Sequence, residues 1–510
     1  EEPAEEATAE ATAEATAEAT EEASAEACAA LAGQQFGPAA ITAAEFIAEE
    51  WTSPEVVWGA ATVAMPFCRV SGLVEPAINF EVWLPPAEGD IAWNGKLNGV
   101  GNGGLAGELN YPAMAAALER GYAAVSTDTG HTGFLGDGSW ALDRPDLLVD
   151  FGYRAVHEMT RAAKAVSAAF YGEAPAYSYF TGCSGGGQQA MSEAQRYPAD
   201  YDGIVAGAPA MFPTHMWPGE LYVAWVTHRS EENMIPEEKL KLINDAVLAA
   251  CDADDGVEDG VLRDPRQCTF DPASLLCDGE DAAGCLTAGQ VDSLQLIYQG
   301  LQDPTTGEQF WPPYEMGSEL QWAGHIFEPF SIPPSYFQYM VLADPEWDWT
   351  AFDFTDPANF ELMRDAHYRL GPILNATETD LTAFKELGGK LILWHGWNDQ
   401  NIAPRNSINY YEDVTAAMGG EENTTGFLRL FMVPGMEHCV GGPGTDTFDA
   451  LGSLEHWVEN GAAPEMIEAA HLADGEVTVT RPLCPYPQVA VYSGEGDTDD
   501  AANFTCELPE

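Results

Sequence analysis

Positive charge is what this sequence has least of. Its 510 residues include 20 Lys and Arg against 82 Asp and Glu, a formal net charge of −62. Lysine occurs only at Lys96, Lys164, Lys239, Lys241, Lys385 and Lys390, and the first basic residue of all is Arg69. A surface of that sign repels phosphate backbones and anionic headgroups, so nucleic acid and membrane surfaces are not expected partners. It suits saline surroundings, where counter-ions screen the self-repulsion. Long apolar runs are missing too. No window approaches about 18 consecutive apolar residues, so no membrane span is expected. The opening 27 residues lack a basic n-region and an apolar h-region, so they do not read as a signal peptide; one removed upstream is compatible with this start. They form an acidic Ala/Thr-rich repeat of period four, read as a solvated low-complexity tail (1–27).

Cysteine spacing of the zinc type is absent as well. None of the ten cysteines forms CxxC, and no cysteine–histidine cluster has finger spacing. What is present is an even set, Cys28, Cys68, Cys183, Cys251, Cys268, Cys277, Cys285, Cys439, Cys484 and Cys506, mostly near neighbours in sequence. That reads as a disulfide framework made in an oxidising compartment, hence a secreted or periplasmic protein. Apolar residues at 46% and aromatics at 11% are globular composition, in a chain long enough to bury a large core.

From about residue 55 strand-like and helix-like segments alternate. INFEVWLP (78–85), GYAAVSTDTG (121–130), YSYFTG (177–182) and YDGIVAGAP (201–209) read as strands, and residues 146–172 carry helical periodicity. The pattern lapses between about 212 and 380, then returns with GGKLILWHGWND (388–399) and GFLRLFMVPGM (426–436). Strands alternating with helices predict an α/β domain on a mostly parallel sheet. The expected organisation is a catalytic domain in two parts, 28–211 and 381–510, interrupted by a large inserted lid, 212–380.

Gly182-Cys183-Ser184-Gly185-Gly186 fits G-x-S-x-G and lies between a strand and a helix, the context in which that motif exposes a nucleophilic serine. A serine hydroxyl needs a base, itself oriented by a carboxylate. In α/β-hydrolase order the acid and then the histidine follow late strands; Asp399 and His438 occupy those places. His395 and His325 are rivals, with His395 expected to be packed or to support the site from behind. Cys183 precedes Ser184 and Cys439 follows His438. If those two cysteines are bonded, their Cα atoms lie within about 4.4–6.8 Å, and serine and histidine are forced together. The alternative, a Cys183 thiol nucleophile, leaves Cys439 without a role.

An oxyanion needs two backbone N–H donors. Gly185 is the expected first; the glycine-rich WNGKLNGVGNGGLAGEL (93–109) supplies the second, with Gly103 favoured and Gly104 next. In the lid, CDADDGVEDGVLRDPRQC (251–268) places Asp252, Asp255 and Asp259 among glycines, a hard-cation pattern, although a solvated acidic loop is the plain alternative. Lid aromatics Trp311, Tyr314, Trp322, Phe327, Phe330, Tyr336, Phe337, Tyr339, Trp347 and Trp349 read mostly as lid core, with a few available to line a slot for an aromatic ring.

Taken together, WNGKLNGVGNGGLAG, TGCSGGGQQAM, CDADDGVEDGV, DPEWDWTAFDF, GGKLILWHGWND, FMVPGMEHCVGGPG and the C-terminal RPLCPYPQVAVYSGEGDTDDAANFTC resemble the tannase/feruloyl esterase family of α/β-hydrolases over about residues 28–510. The resemblance implies a triad of Ser184, Asp399 and His438 over a Cys183–Cys439 disulfide. It implies the pairs 28–68, 251–268, 277–285 and 484–506 for the other cysteines. It further implies a structural Ca2+ in the lid, held by Asp252, Asp255 and Asp259 side chains and the carbonyls of Val257 and Val261. The implied reaction is hydrolysis of a small aromatic ester, of a phenolic acid such as ferulate or gallate. The alternative is a terephthalate monoester, which calls for a lid arginine among Arg229, Arg263, Arg266, Arg364 and Arg369 to hold the free carboxylate. A binding protein on this fold would require a defective triad.

Overall fold

The computed structural model describes residues 21–509. Residues 1–20 of the expected acidic tail lie outside the described residues, and residues 21–29 are helical.

Ten strands make one sheet: β1 (Gln35–Phe36), β2 (Ala39–Ile47), β3 (Phe67–Val74), β4 (Ile78–Leu84), β5 (Lys96–Val100), β6 (Ala123–Thr127), β7 (Tyr177–Cys183), β8 (Gly203–Gly207), β9 (Lys390–Gly396) and β10 (Leu428–Val433). Their spatial order is β1-β2-β3-β4-β6-β5-β7-β8-β9-β10. From β6 to β10 every neighbouring pair is parallel, whereas β1 to β4 and the β4/β6 pair are antiparallel. The central strands AAVST and GIVAG are buried at every position. That is the signature of strands covered on both faces, and it is why they read as continuous runs without alternation.

Among the described helices are α1 (Tyr111–Glu119), α2 (Ala155–Tyr171), α3 (Gly185–Arg196), α4 (Pro213–His228), α5 (Glu237–Cys251), α6 (Pro357–Leu374), α7 (Arg405–Ala417) and α8 (Ala450–Asn460). One core packs Met159 and Val166 of α2, Met191 of α3 and Ile408 and Val414 of α7 against the sheet. A second gathers Met114 and Leu118 of α1 with Leu454 and Trp457 of α8. No described helix is long and apolar enough to cross a membrane.

Residues 208–389 add no strand to this sheet. Much of that stretch collects around a third core, with Leu221 of α4, Ile243 of α5, Trp322, Phe337 and Phe360 of α6, which extends onto Leu105, Leu148 and Phe151. Ala376 and Leu381 already belong to the core of the sheet, so the chain re-enters it there. All five cysteine pairs are disulfides: 28–68, 183–439, 251–268, 277–285 and 484–506. Asn375, Asn423 and Asn503 each open an Asn-x-Thr glycosylation sequence, and of these Asn375 is buried and bonded to Thr214, which closes it to a glycan.

Candidate active site

Ser184 stands between β7 and α3 with φ +62° and ψ −122°, a conformation that L-residues adopt only when the surroundings impose it. Those surroundings are specific. The Ser184 N–H donates to Gly207 O at 3.0 Å, and the Ser184 carbonyl accepts from Gln188 and Ala210, both at 3.0 Å. Small neighbours are obligatory, because a Cβ on Gly182 would lie 2.4 Å from the Gly186 carbonyl oxygen. The hydroxyl is thereby lifted to the carboxyl end of a parallel sheet, where open α/β sheets place their sites.

Asp399 follows β9 and is fully buried. Its Oδ1 accepts from the N–H groups of Asn401 and Ile402, both at 2.8 Å. Its Oδ2 faces two imidazoles, His438 Nδ1 at 2.7 Å and His395 Nε2 at 3.1 Å. Burial by itself would push this carboxyl up; the charge of His438 and the hydrogen bonds from both histidines outweigh it and hold the carboxyl well below its usual range. His395 also meets the Ile402 carbonyl through Nε2 and the Ser407 hydroxyl through Nδ1. Two acceptors on Nε2 place its proton there, so His395 orients the aspartate from behind and does not face the cavity. The other rival, His325, is neutral, its pKa pushed down to about 4 by burial.

His438 follows β10 on a glycine-rich loop, and its Nδ1 is committed to Asp399, leaving Nε2 as the working nitrogen. The Cys183–Cys439 disulfide, with Cα atoms 6.1 Å apart, ties this loop to the turn that carries Ser184. Ser184 and His438 line the same cavity of about 610 Å3.

Gly185 and Gly103 line that cavity too, and so does Gly104. A Cβ on Gly185 would sit 3.2 Å from the backbone carbon of Gly103, so the two segments run against each other. The glycine loop is held there by Gln189 of α3, whose Oε1 accepts from the Asn102 N–H while its Nε2 donates to Asn102 Oδ1, both at 3.1 Å. Among the described residues no acceptor meets the N–H of Gly103 or Gly104.

The walls were the least legible part. Of the ten lid aromatics only Phe330 lines the cavity; Trp311, Tyr314, Trp322, Tyr336 and Phe337 are core. The remaining apolar wall comes from Trp58, Met216, Trp217, Trp394, Ile332 and Ile402, and Glu220 of α4 stands among them. No arginine or lysine among the described residues lines it. All five candidate arginines are placed elsewhere. Arg229 pairs with Asp292, Arg266 with Asp264, Arg364 with Asp303 and Arg369 with Asp365, while Arg263 borders the acidic lid loop.

In that loop Asp252 accepts from the Gly260 N–H, Asp255 from Val257 and Asp259 from Val261. The carboxyls of Asp252 and Asp255 are pushed up first by burial, and the charge of Asp259 adds to it. Three mutually repelling carboxylates beside the carbonyl-bearing Val257 and Val261 are an all-oxygen donor set suited to a hard cation. Arg481 already holds one Asp259 oxygen at 2.8 Å. The trio is not drawn together: among the described residues, three ligating atoms lie within 4.8 Å of one another only at His157, Glu193 and Asp200. There His157 is bonded to Asp200 and Lys164 to the Asp200 carbonyl.

Fold and site thus define an α/β protein with a serine–histidine–aspartate constellation at the carboxyl end of its sheet, opening on an apolar cavity. The chain belongs to the tannase and feruloyl esterase family, whose family model matches residues 61–507. It is 38% identical to an uncharacterized esterase of Xanthomonas campestris pv. campestris, over 91% of this chain and 88% of that one. It is 34% identical to the mono(2-hydroxyethyl) terephthalate hydrolase of Piscinibacter sakaiensis, over 94% and 90% respectively. The crystal structure of feruloyl esterase B from Aspergillus oryzae superposes with a TM-score of 0.86 at 27% identity, covering 95% of this chain and 100% of that one.

Proposed function

We propose that the protein is a secreted serine carboxylesterase that hydrolyses small aromatic esters of phenolic acids, of the ferulate or gallate type, through an acyl-enzyme. One observation carries the reading: Ser184, at its strained turn, shares one apolar cavity with a histidine whose other nitrogen is fixed by a buried aspartate. Family membership supports ester hydrolysis, and the feruloyl esterase relatives support a phenolic acyl group. A cavity that no arginine or lysine among the described residues lines favours this over a terephthalate monoester, whose second carboxylate would enter it without a guanidinium or ammonium partner. Five disulfides support an oxidising compartment. Residues 212–380, with Phe330 and Ile332 over the cavity, act as its lid.

In the reaction Ser184 Oγ bonds to the ester carbonyl carbon while its proton passes to His438 Nε2. The oxyanion accepts from the N–H groups of Gly185 and Gly103, which are in place before charge develops. The carbon–oxygen bond to the alcohol breaks as His438 returns the proton to the leaving oxygen. Water then attacks the acyl-enzyme, giving its proton to His438, and the acid leaves as Ser184 Oγ is reprotonated. Asp399 keeps the imidazole in the Nδ1–H tautomer and stabilises its cation. In the lid, Asp252, Asp255 and Asp259 with the carbonyls of Val257 and Val261 would hold a Ca2+, which supplies cross-linking of the loop and no chemistry at the ester.

The test is side-by-side hydrolysis of methyl ferulate, methyl gallate and a terephthalate monoester by wild type and Ser184→Ala, with fluorophosphonate labelling of each. Labelling and phenolic ester turnover by wild type, both lost in the variant, are expected. Retained turnover in Ser184→Ala would sink the serine mechanism, and preferred turnover of the terephthalate monoester would sink the substrate assignment.

A further inference from the structure

Glu220 lies on α4, 4% exposed, and lines the cavity shared by Ser184 and His438. Among the described residues its Oε2 is sealed from solvent without a hydrogen-bond partner, its Oε1 is not so sealed, and no Lys or Arg lines the cavity beside it. A lone buried carboxylate is costly, and the group escapes that cost by keeping its proton. Burial first, and then the charge of the nearby ionised Asp399, hold the Glu220 carboxyl well above its ordinary value. Burial thus favours its protonated form, which offers one O–H donor and one carbonyl acceptor in a largely apolar slot. Of the other polar side chains there, Asn102 donates to the carbonyls of Glu108 and Thr127, Asn110 to that of Gly101 and Thr181 to Asn98 Oδ1, while Asn401 lines the cavity as well.

We infer that Glu220 is the specificity anchor of the acyl site, sharing a hydrogen bond through Oε1 with the ring hydroxyl of a phenolic acyl group. This deepens the phenolic-ester reading and rests on it. An acyl group that lacks the hydroxyl leaves Glu220 unpartnered in the closed complex, and such mismatches are where polar sites discriminate.

The experiment compares methyl 4-hydroxycinnamate with methyl cinnamate, which differ by that hydroxyl alone, on wild type, Glu220→Leu and Glu220→Gln. The readout is the ratio of the two kcat/KM values. One hydrogen bond between neutral groups sets the expected wild-type ratio at about tenfold or more. Leucine should bring the ratio down to within about threefold of unity, with the change carried in KM and kcat of the hydroxylated ester. Glutamine, which keeps a donor and an acceptor in nearly the same shape, should stay within about threefold of the wild-type ratio and controls for folding. A wild-type ratio near unity, an unchanged ratio in Glu220→Leu, or a glutamine variant that falls as far as leucine would each overturn the assignment. The two readings fail differently. Absence of turnover of both cinnamates, with Ser184-dependent hydrolysis of 4-nitrophenyl acetate intact, removes the phenolic reading and this anchor with it. Turnover with an unchanged ratio removes the anchor alone.

Discussion

Replacing Cys183 and Cys439 together by alanine separates what their bridge does for folding from what it does for catalysis. The bridge closes a sequence separation of 256 residues. In the chain-entropy description a loop of that length is worth about 5.5 kcal/mol, an upper figure since compact denatured chains lose less. The nested 251–268 and 277–285 bridges shorten the loop but change its logarithm by only about 0.1 kcal/mol. The native-state consequence is unequal on the two sides. Ser184 keeps its three backbone hydrogen bonds to Gly207, Gln188 and Ala210. His438 keeps its bond to Asp399 and one from its N–H to Gln400 Oε1 at 3.3 Å, but its loop loses its tether. Cys439 is held at φ +66°, a left-handed value that costs a non-glycine residue about 1–2 kcal/mol, so an untethered residue 439 relaxes. The histidine side moves while the serine side stays. A displacement of about 1 Å between reacting groups costs about a hundredfold, so kcat should fall by that order while KM changes little. The assay is kcat and KM on methyl ferulate well below the variant's own melting temperature, with unfolding followed by circular dichroism. If the folded variant turned over within twofold of wild type, the bridge would be a fold staple with no part in the site.

Three further outcomes are expected. Gly101→Ala places a Cβ 2.6 Å from Gly186 Cα and pushes the glycine loop off the start of α3, so kcat should drop at least about tenfold with a smaller loss of stability, read by kinetics and melting. Glu220 has a raised folded pKa, so the unfolded chain ionises first. Wild type therefore loses stability as pH rises above the ordinary value of 4.5, by about 1.4 kcal/mol per pH unit until the folded group itself ionises, and denaturation of Glu220→Gln against wild type should show a gap that opens over that range and is absent below it. If the acidic lid loop holds Ca2+, adding the ion to chelated protein at about a hundred times its Kd should raise stability by about 2.7 kcal/mol, and Asp255→Asn should abolish the rise in melting temperature.

The parallel half of the fold was legible because its strands, covered on both faces, have to be short apolar runs such as GIVAG, and its helices keep one apolar face. The placement of Ser184, Asp399 and His438 was legible for a different reason: each follows a strand directly or within a few residues, so local sequence carries its position. Helices, strand ends and loops distant in sequence converge on the cavity, and there local sequence says little. Trp58 lies in an irregular stretch, Trp394 is the strand residue before His395 and points to the opposite face, and Glu220 is an ordinary-looking helical acid. Among the aromatics of residues 212–380, nothing in spacing separates Phe330, which lines the cavity, from Trp322, which is fully buried in the third core.

By itself, then, the sequence carried the fold class and the places of Ser184, Asp399 and His438 directly after strands, because each depends on residues within a turn or two of one another, whereas the pairing of the ten cysteines came with the family resemblance. Tertiary structure decided what surrounds the ester. It placed His395 behind Asp399, sent all five candidate arginines away from the cavity, and left an unpaired carboxyl of Glu220 inside it. Those outcomes hang on which faces of distant helices meet, and on burial that raises the pKa of an acid, neither of which is written in any short stretch of chain.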